Sequence, residues 1–508
     1  MLTTRIKQNR NLLSAPATAP LGRPGARFDQ SMADKKSNAR VINNSAKLHP
    51  LTRIAENEKL FNYERIVKSA FDAIAPTLES IAALQNDIDF QSSAQNIARE
   101  KLGFGLPETF FADARVQKLN MKQMFAWCMF ETYKRYCDDF FKKDPLFSND
   151  EESFQATLLN CGFHTLDVSP CADGRLAHVI RYVLRLPYRV VRRKSYAGAL
   201  FDIEDSLDKW VETELTRFRE GKPNTAEEAT RYLKAAVYHF SSIDPQHEGC
   251  AAHASDTKMA AQAGIERLSA FKEAIENTYC CGASVDNLLI GLDTDTDTIR
   301  IHVTDSNNGL IANKYIDSGE IYEATKSLAK EIAKKRIADL VKEANPSASE
   351  GMTQFIAFLL INNLSQIDYV RSNYGAHYED AGHAEYFIGA GIGFEEVQLR
   401  NLTYFAYMNT VEEAAADLDV GIKIFTGLNI SRGLPVPVVV RYDYHGNVPG
   451  AKDRAVERCH RVANALNSRY ENIKSLDFLH TLLVVRDVNG SGCIEVLESS
   501  VNTQEMHR

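Results

Sequence analysis

Phe163-His-Thr-Leu-Asp-Val-Ser-Pro170 runs without a break into Cys171-Ala-Asp173-Gly-Arg175. The first eight residues alternate in the manner of a strand, so Cys171 is expected near a strand's carboxyl end, where open α/β sheets gather their functional groups. The five residues that follow combine three chemistries at two-residue steps. A thiolate ligates a soft metal, a carboxylate accepts a hydrogen bond from a metal-activated hydroxide, and a guanidinium keeps that carboxylate ionised.

A catalytic zinc commonly takes three protein ligands and leaves a fourth position to water. The remaining ligands are sought in Leu233-Lys-Ala-Ala-Val-Tyr-His239-Phe-Ser-Ser-Ile-Asp-Pro-Gln-His247-Glu-Gly-Cys250-Ala-Ala-His253. An apolar, β-favouring run ends at His239, Asp244-Pro245 marks a turn, and Gly249-Cys250 opens the next element. Cys171, His239 and Cys250 would form a Cys2His set. His247 lies three residues before Cys250, an H-x-x-C spacing, and competes with His239. A strand end orients a ligand better than the Gln-His-Glu-Gly loop does.

The chain resembles the carboxysomal carbonic anhydrases, the epsilon subclass of the β-type enzymes. The resemblance rests on Cys171-Ala-Asp-Gly-Arg-Leu-Ala-His178, on Tyr238-His239 with Gly249-Cys250-Ala-Ala-His253, and on Cys280-Cys-Gly-Ala-Ser-Val-Asp286 leading into Leu289-Ile-Gly-Leu-Asp-Thr-Asp-Thr-Asp297. Arg432-Gly-Leu-Pro-Val-Pro-Val-Val-Val-Arg441 extends it to nearly the whole chain. It selects His239 over His247 as the third ligand. It implies one Zn2+ per chain, CO2 and bicarbonate as substrates, location in the carboxysome, and Rubisco as the enzyme supplied with CO2.

The expected chemistry follows. Zinc lowers the pKa of bound water from 15.7 to about 7, which makes hydroxide available at neutral pH. Asp173, held anionic by Arg175, would accept that hydroxide's proton in a hydrogen bond and aim its lone pair at CO2. Proton release calls for a carrier that titrates near neutrality. His178 and His383 are the candidates, and the resemblance favours His383 as the active-site auxiliary.

The organisation expected is α/β with four parts: a disordered basic arm over 1–50, an all-α domain over 51–150, a parallel-sheet catalytic domain over 151–383, and a smaller α/β unit over 384–508. Leu60, Tyr63, Ile66, Val67 and Ala70, and then Met121 to Phe140, carry apolar residues at helical spacing. Strand-like runs near 163–169, 234–241, 286–293 and 298–304 alternate with helical segments near 204–219, 256–277 and 321–344, the pattern of parallel βαβ connections. The resemblance implies that the last unit is a degenerate copy of the catalytic fold without zinc, and that fused pairs form homodimers or higher homo-oligomers.

Composition excludes some functions. With 508 residues, 44% hydrophobic and 25% charged, the chain suits about three globular domains. The longest apolar run, Phe355-Ile-Ala-Phe-Leu-Leu-Ile361, falls short of a membrane span and is expected in a buried helix. Nine cysteines, an odd number, and no apolar secretory segment point to a reducing compartment, with Cys128, Cys137, Cys161, Cys459 and Cys493 as buried small residues.

Residues 1–50 carry nine Lys or Arg against two Asp, +7, whereas the whole chain is at −8. Nucleic acid is disfavoured as the arm's partner by the acidic body and the lack of interleaved aromatics. A transit peptide and a docking peptide both remain, and the resemblance favours docking on Rubisco, with the carboxysome shell as another possible contact. The alternative to an enzyme is a structural-zinc scaffold that docks Rubisco or shell without catalysis.

Three further stretches are read without chemistry. Asp293-Thr-Asp295-Thr-Asp297 departs from a calcium loop at its glycine and twelfth positions and is expected as a charged loop at a strand end. Gly389-Ala-Gly391-Ile-Gly393 lacks the G-x-G-x-x-G spacing of a nucleotide turn. Arg189, Arg192, Arg193 and Lys194 are expected on a solvated or intersubunit face, where an anionic metabolite could bind.

Overall fold

The computed structural model describes residues 47–501 apart from 113, 115–117, 144–145, 147–150, 188–190, 226–227, 279–283, 381, 395–397, 409–410 and 491. The basic arm up to residue 46, Arg189, and the Cys280-Cys281 pair therefore lie outside the described residues.

Helices come first: α1 (Ile54–Asp72), α2 (Ile74–Ala83), α3 (Phe90–Lys101), α4 (Met121–Lys143) and α5 (Glu151–Asn160). The 3.6-residue apolar spacing of α1 buries Leu60, Tyr63, Val67 and Phe71 on one face. Strands β1 (Thr165–Pro170), β2 (Arg192–Arg193), β3 (Arg231–Phe240), β4 (Ser284–Asp293), β5 (Ile299–Thr304) and β6 (Leu310–Asp317) form one sheet in the order β2-β1-β3-β4-β5-β6. Helices α6 (Ile203–Arg219) and α7 (Thr257–Thr278) carry the crossovers on either side of β3. The first four strands pair in parallel. The expected parallel pattern ends there, because β5 and β6 run antiparallel. Only Thr294–Thr298 separates β4 from β5, too few residues for a crossover.

Alternation along β3 feeds both faces of this sheet. Leu233, Ala235 and Val237 enter a core shared with α8 (Ser318–Thr325), α9 (Lys330–Ala344) and α10 (Glu350–Tyr374), while Tyr232, Ala236, Tyr238 and Phe240 pack with Trp210 of α6 and Leu268 and Phe271 of α7. The run Phe355–Ile361 lies in α10 as expected, with Phe355, Ile356, Leu359 and Leu360 buried.

The second sheet contains β7 (Phe387–Ile392), β8 (Thr403–Tyr407), β9 (Val436–Tyr444), β10 (Leu479–Asp487) and β11 (Ile494–Ser499), with α11 (Val411–Leu428) and α12 (Ala451–Arg469) as crossovers. Its order, β11-β10-β9-β7-β8, retraces β5-β4-β3-β1-β2. The pairings agree strand for strand, parallel through four strands and antiparallel at the fifth. The chain therefore contains the same topology twice. At the ends of the equivalent central strands, β3 closes with Tyr238-His-Phe240 and β9 with Tyr442-Asp-Tyr444; after the equivalent first strands stand Cys171 and Gly393.

The second sheet is buried on both faces, which accounts for the unbroken apolar run Val438-Val-Val440. Val438 and Val440 pack with α11 and α12, whereas Val439, Leu482 and Val484 share a core with α1, α2 and α4. The helical segment thus forms the outer layer of the second sheet. Phe71 stacks on Phe387, and the buried Arg441 donates to the Tyr133 hydroxyl at 3.1 Å.

Gly389 and Gly391 lie within β7, not in a phosphate-binding turn. At Gly391, with φ +127°, a methyl group would stand 2.0 Å from the Arg441 carbonyl oxygen. Lys194 departs from the expected solvated face: it is buried, pairs with Asp205 and covers the Tyr407 ring. The side chains of Arg192 and Arg193 lie outside the described residues. Cys128, Cys137, Cys161 and Cys459 are buried as expected, but Cys493 is exposed because it precedes the edge strand β11.

Candidate metal centre and active site

Cys171, His239 and Cys250 converge at the carboxyl end of the first sheet. Cys171 follows β1, and its amide donates to the Val237 carbonyl at 2.9 Å, which fixes the thiol beside the end of β3. His239 is the penultimate residue of β3, on the side of the sheet that carries Leu233, Ala235 and Val237. Cys250 opens a tight turn in which its carbonyl accepts from His253 and Ser255, both at 3.0 Å. The three donor atoms lie within 4.8 Å of one another, and the two sulfurs are 4.0 Å apart.

These residues fit a metal such as zinc. His239 is 1% exposed, yet neither ring nitrogen has a hydrogen-bond partner among the described residues. A buried imidazole left in that state is costly unless something else uses its lone pair. The donors are two sulfurs and a nitrogen, the set that zinc prefers. Hydrogen bonding between the thiols raises Cys171, aided by its burial, and lowers Cys250.

Asp173 and Arg175 form a buried pair beside the three ligands. Asp173 Oδ1 accepts from the Arg175 amide at 2.9 Å and from its Nε at 3.0 Å, while Oδ2 accepts from the guanidinium at 2.7 Å. Burial pushes the Asp173 carboxyl up, but Arg175, His383 and His239 together outweigh it and hold the group well below the usual carboxylate range. Arg175 is anchored in turn by the Glu248 carbonyl at 2.7 Å and the Glu248 carboxylate at 3.5 Å. Asp173 Oδ2 is 3.3 Å from His239 Nε2.

The second α/β unit closes this pocket. Its lining includes Cys171, Asp173, His239 and Cys250 with His383, Tyr404, Val420 and Ile424. Tyr404 is on β8, and Val420 and Ile424 are on α11. Gly174 is held on both sides from that unit, donating to Glu385 Oε1 at 3.1 Å and accepting from the Asn401 amide at 2.9 Å. A methyl group at Gly174 would lie 2.4 Å from Glu385 Cγ, which is why the turn between Asp173 and Arg175 needs glycine.

The other histidines separate clearly. His383 lies at the pocket, with Nε2 3.6 Å from Asp173 Oδ2 and Nδ1 2.8 Å from Glu385 Oε1. Burial opposes its charged form, but Glu385 and Asp173 raise its pKa to about 9. His178 is buried away from the pocket lining, 2.8 Å from Asp297. His247 is exposed, hydrogen-bonded to Asp244, and far from the sulfurs in role if not in sequence. His253 is buried against the Gly198 carbonyl at 3.3 Å.

The acidic loop after β4 braces the site. Asp295 accepts from Ser241 Oγ at 2.7 Å and the Ile243 amide at 2.8 Å, which secures the chain between His239 and Cys250. Asp297 gathers His178, Gln366 and Tyr378 at 2.8 to 2.9 Å. These carboxylates are buried, and Oδ2 of each is engaged in hydrogen bonds, unlike the carboxylates of an open calcium loop. Glu248, Glu385, Asn401 and Tyr404 were not singled out from sequence, since nothing in their local pattern shows which residues the fold returns to the pocket.

Family models for the carboxysome shell carbonic anhydrase match residues 49–141 as its N-terminal region, 153–383 as its catalytic domain and 384–501 as its C-terminal region. The carboxysome shell carbonic anhydrase of Prochlorococcus marinus (strain MIT 9313) is 50% identical over 98% of this chain and 99% of its own length. That of Parasynechococcus marenigrum (strain WH8102) is 52% identical over 90% of this chain and 80% of its own. That of Halothiobacillus neapolitanus (strain ATCC 23641 / c2) is 45% identical over 89% of this chain and 90% of its own. With a repeated α/β topology, a buried Cys-His-Cys cluster and relatives that match along nearly all of its length, the chain belongs to the carboxysome shell carbonic anhydrases.

Proposed function

We propose that Cys171, His239 and Cys250 hold one Zn2+ and that the pocket interconverts CO2 and bicarbonate in the carboxysome. The observation that carries this reading is the placement of the ionised Asp173–Arg175 pair at the same pocket as the three donors. A zinc ion so held supplies Lewis acidity and brings the pKa of coordinated water towards neutrality.

The side chains divide the remaining work. Asp173 accepts a hydrogen bond from the attacking water oxygen and so orients its lone pair towards CO2. Arg175 keeps Asp173 anionic and fixes its angle through three hydrogen bonds. Tyr404, Val420 and Ile424 give the pocket a wall suited to an apolar gas. The sum is CO2 + H2O → HCO3− + H+, and His383, with a 22% exposed side chain, lies where a proton can pass from pocket to solvent.

A structural-zinc scaffold is the second reading. A closed structural site has a fourth protein ligand and no use for an acceptor pair, whereas here Asp173 and His383 share the pocket with the donors. Supply of CO2 to Rubisco, docking through the basic arm, and homodimers or larger homo-oligomers belong to the same proposal. The charge of the arm, +7 over residues 1–50, supports docking on an acidic surface. Among the described residues, no helix is long and apolar enough to cross a membrane.

Metal content tests the ligand set. His239→Ala is expected to lose bound zinc and to lower activity by about 100-fold or more, whereas His247→Ala keeps metal and rate. Zinc is measured by elemental analysis of the purified, reduced full chain. Retention of zinc by His239→Ala with its loss from His247→Ala would overturn the assignment.

A further inference from the structure

Glu385 lies behind the pocket-lining His383 and belongs to neither the metal-ligand set nor the Asp173–Arg175 pair. Its side chain is 0% exposed. Oε1 accepts from His383 Nδ1 at 2.8 Å and from the Gly174 amide at 3.1 Å, and Oε2 has no partner among the described residues. A buried carboxylate with spare acceptor capacity carries a desolvation cost, so packing alone is a poor reason for its presence.

The geometry assigns a specific use. Glu385 accepts from Nδ1, so Nε2 is the ring atom turned towards Asp173 Oδ2, 3.6 Å away, and the two carboxylates favour the imidazolium at neutral pH. A carboxylate behind an imidazole fixes the ring's tautomer and orientation and stabilises the imidazolium when it forms. The His383 side chain is 22% exposed, which leaves it reachable by buffer.

We propose that Glu385, contributed by the second α/β unit, is a positioning residue that acts through His383 in proton export. The proposal rests on the carbonic anhydrase reading above. His383 gives its Nε2 proton to a buffer base and is then reprotonated by the proton released in CO2 + H2O → HCO3− + H+, which returns it to the imidazolium. The second copy of the fold, besides walling the pocket, then supplies the route by which the proton leaves it.

The test uses the full-length, zinc-loaded chain and its Glu385→Gln, Glu385→Ala, His383→Ala and Glu385→Gln/His383→Ala variants in stopped-flow CO2 hydration. Interconversion of CO2 and bicarbonate governs kcat/KM, whereas proton export limits only kcat. In weak buffer Glu385→Gln is expected to lose about 10-fold in kcat with kcat/KM within about threefold of the parent. Added imidazole restores the loss, and the double variant is no slower than His383→Ala alone.

An unchanged kcat in Glu385→Gln or His383→Ala overturns the proposal. So do losses in kcat and kcat/KM that fall together at every buffer concentration, which would make Glu385 only a clamp on Gly174, and so does an additive double variant. If Glu385→Ala fails to fold, Glu385→Gln carries the test, since its amide oxygen still accepts from Gly174. The parent's zinc-dependent turnover is measured in the same run, so failure of the carbonic anhydrase reading appears there and failure of the Glu385 role appears only in the variants.

Discussion

Replacing Asp173 by asparagine is expected to lower kcat/KM for CO2 hydration by about 100-fold or more while zinc stays bound. Both carboxylate oxygens are committed in the native site: Oδ1 accepts two hydrogen bonds from Arg175, and Oδ2 accepts a third while facing His239 at 3.3 Å. An amide has one acceptor and one donor. Placed with its oxygen at Oδ1, it turns an NH2 group towards both the guanidinium and the pocket, where an acceptor is required. The reverse placement sets NH2 against the Arg175 amide and Nε. Neither orientation reproduces the native hydrogen bonds. Stopped-flow rates beside elemental zinc analysis check the expectation, and a zinc-loaded Asp173→Asn variant with native kcat/KM would remove Asp173 from the mechanism.

Arg175→Met is expected to cost about 3–5 kcal/mol of stability, because it leaves a buried charge without its partner, and to remove most of the activity with it. Arg175 is 1% exposed and forms three hydrogen bonds to Asp173 and one to the Glu248 carbonyl. One of the three comes from the main chain and survives substitution, but the two side-chain bonds do not. Burial then drives the Asp173 carboxyl upward, with Arg175 no longer present to oppose it. Methionine fills a similar length without supplying charge. A lowered thermal midpoint together with loss of hydration activity is the expected outcome, whereas native stability and rate would show that the pair is incidental.

The two effects come from one five-residue stretch, and that stretch was legible because its parts are local. Cys171, Asp173 and Arg175 are fixed relative to one another by a strand end and one turn, so their spacing carries the chemistry. His239 was legible for a related reason: the run from Leu233 ends in a polar turn, and strand alternation places the histidine on a definite face. Exposure separates His239 from His247, 1% for one and 74% for the side chain of the other.

Less of the second unit could be read. Its strands Val436–Tyr444 and Leu479–Asp487 are apolar and stand out, but β8 is five residues long and β11 is an exposed edge strand, so neither has a strong pattern. That Glu385 returns to Gly174, 211 positions earlier in the chain, depends on how the two sheets meet. No window of sequence contains that information. The same holds for the helices of residues 54–143, whose apolar faces were evident but whose partner, the far face of the second sheet, was not.

The repeated topology gives these long-range contacts a common cause. A second copy of the fold in the same chain lies against the first. At the strand ends where the first copy has Cys171 and His239, the second has Gly393 and Asp443, and Asp443 is drawn into bonds with Arg441 at 2.7 Å and Arg486 at 3.3 Å. The second copy thus uses the position equivalent to His239 for internal ion pairs, while contributing Tyr404 and α11 to the pocket of the first and Glu385 to Gly174 and His383 beside it.

The central claim is tested most directly by CO2 hydration in a stopped-flow indicator assay on the reduced, full-length chain, before chelation, after removal of metal, and after one equivalent of zinc is returned. The account predicts fast hydration that disappears with the metal and comes back with zinc. A folded, metal-free chain that hydrates CO2 as fast as the zinc-loaded one would contradict it.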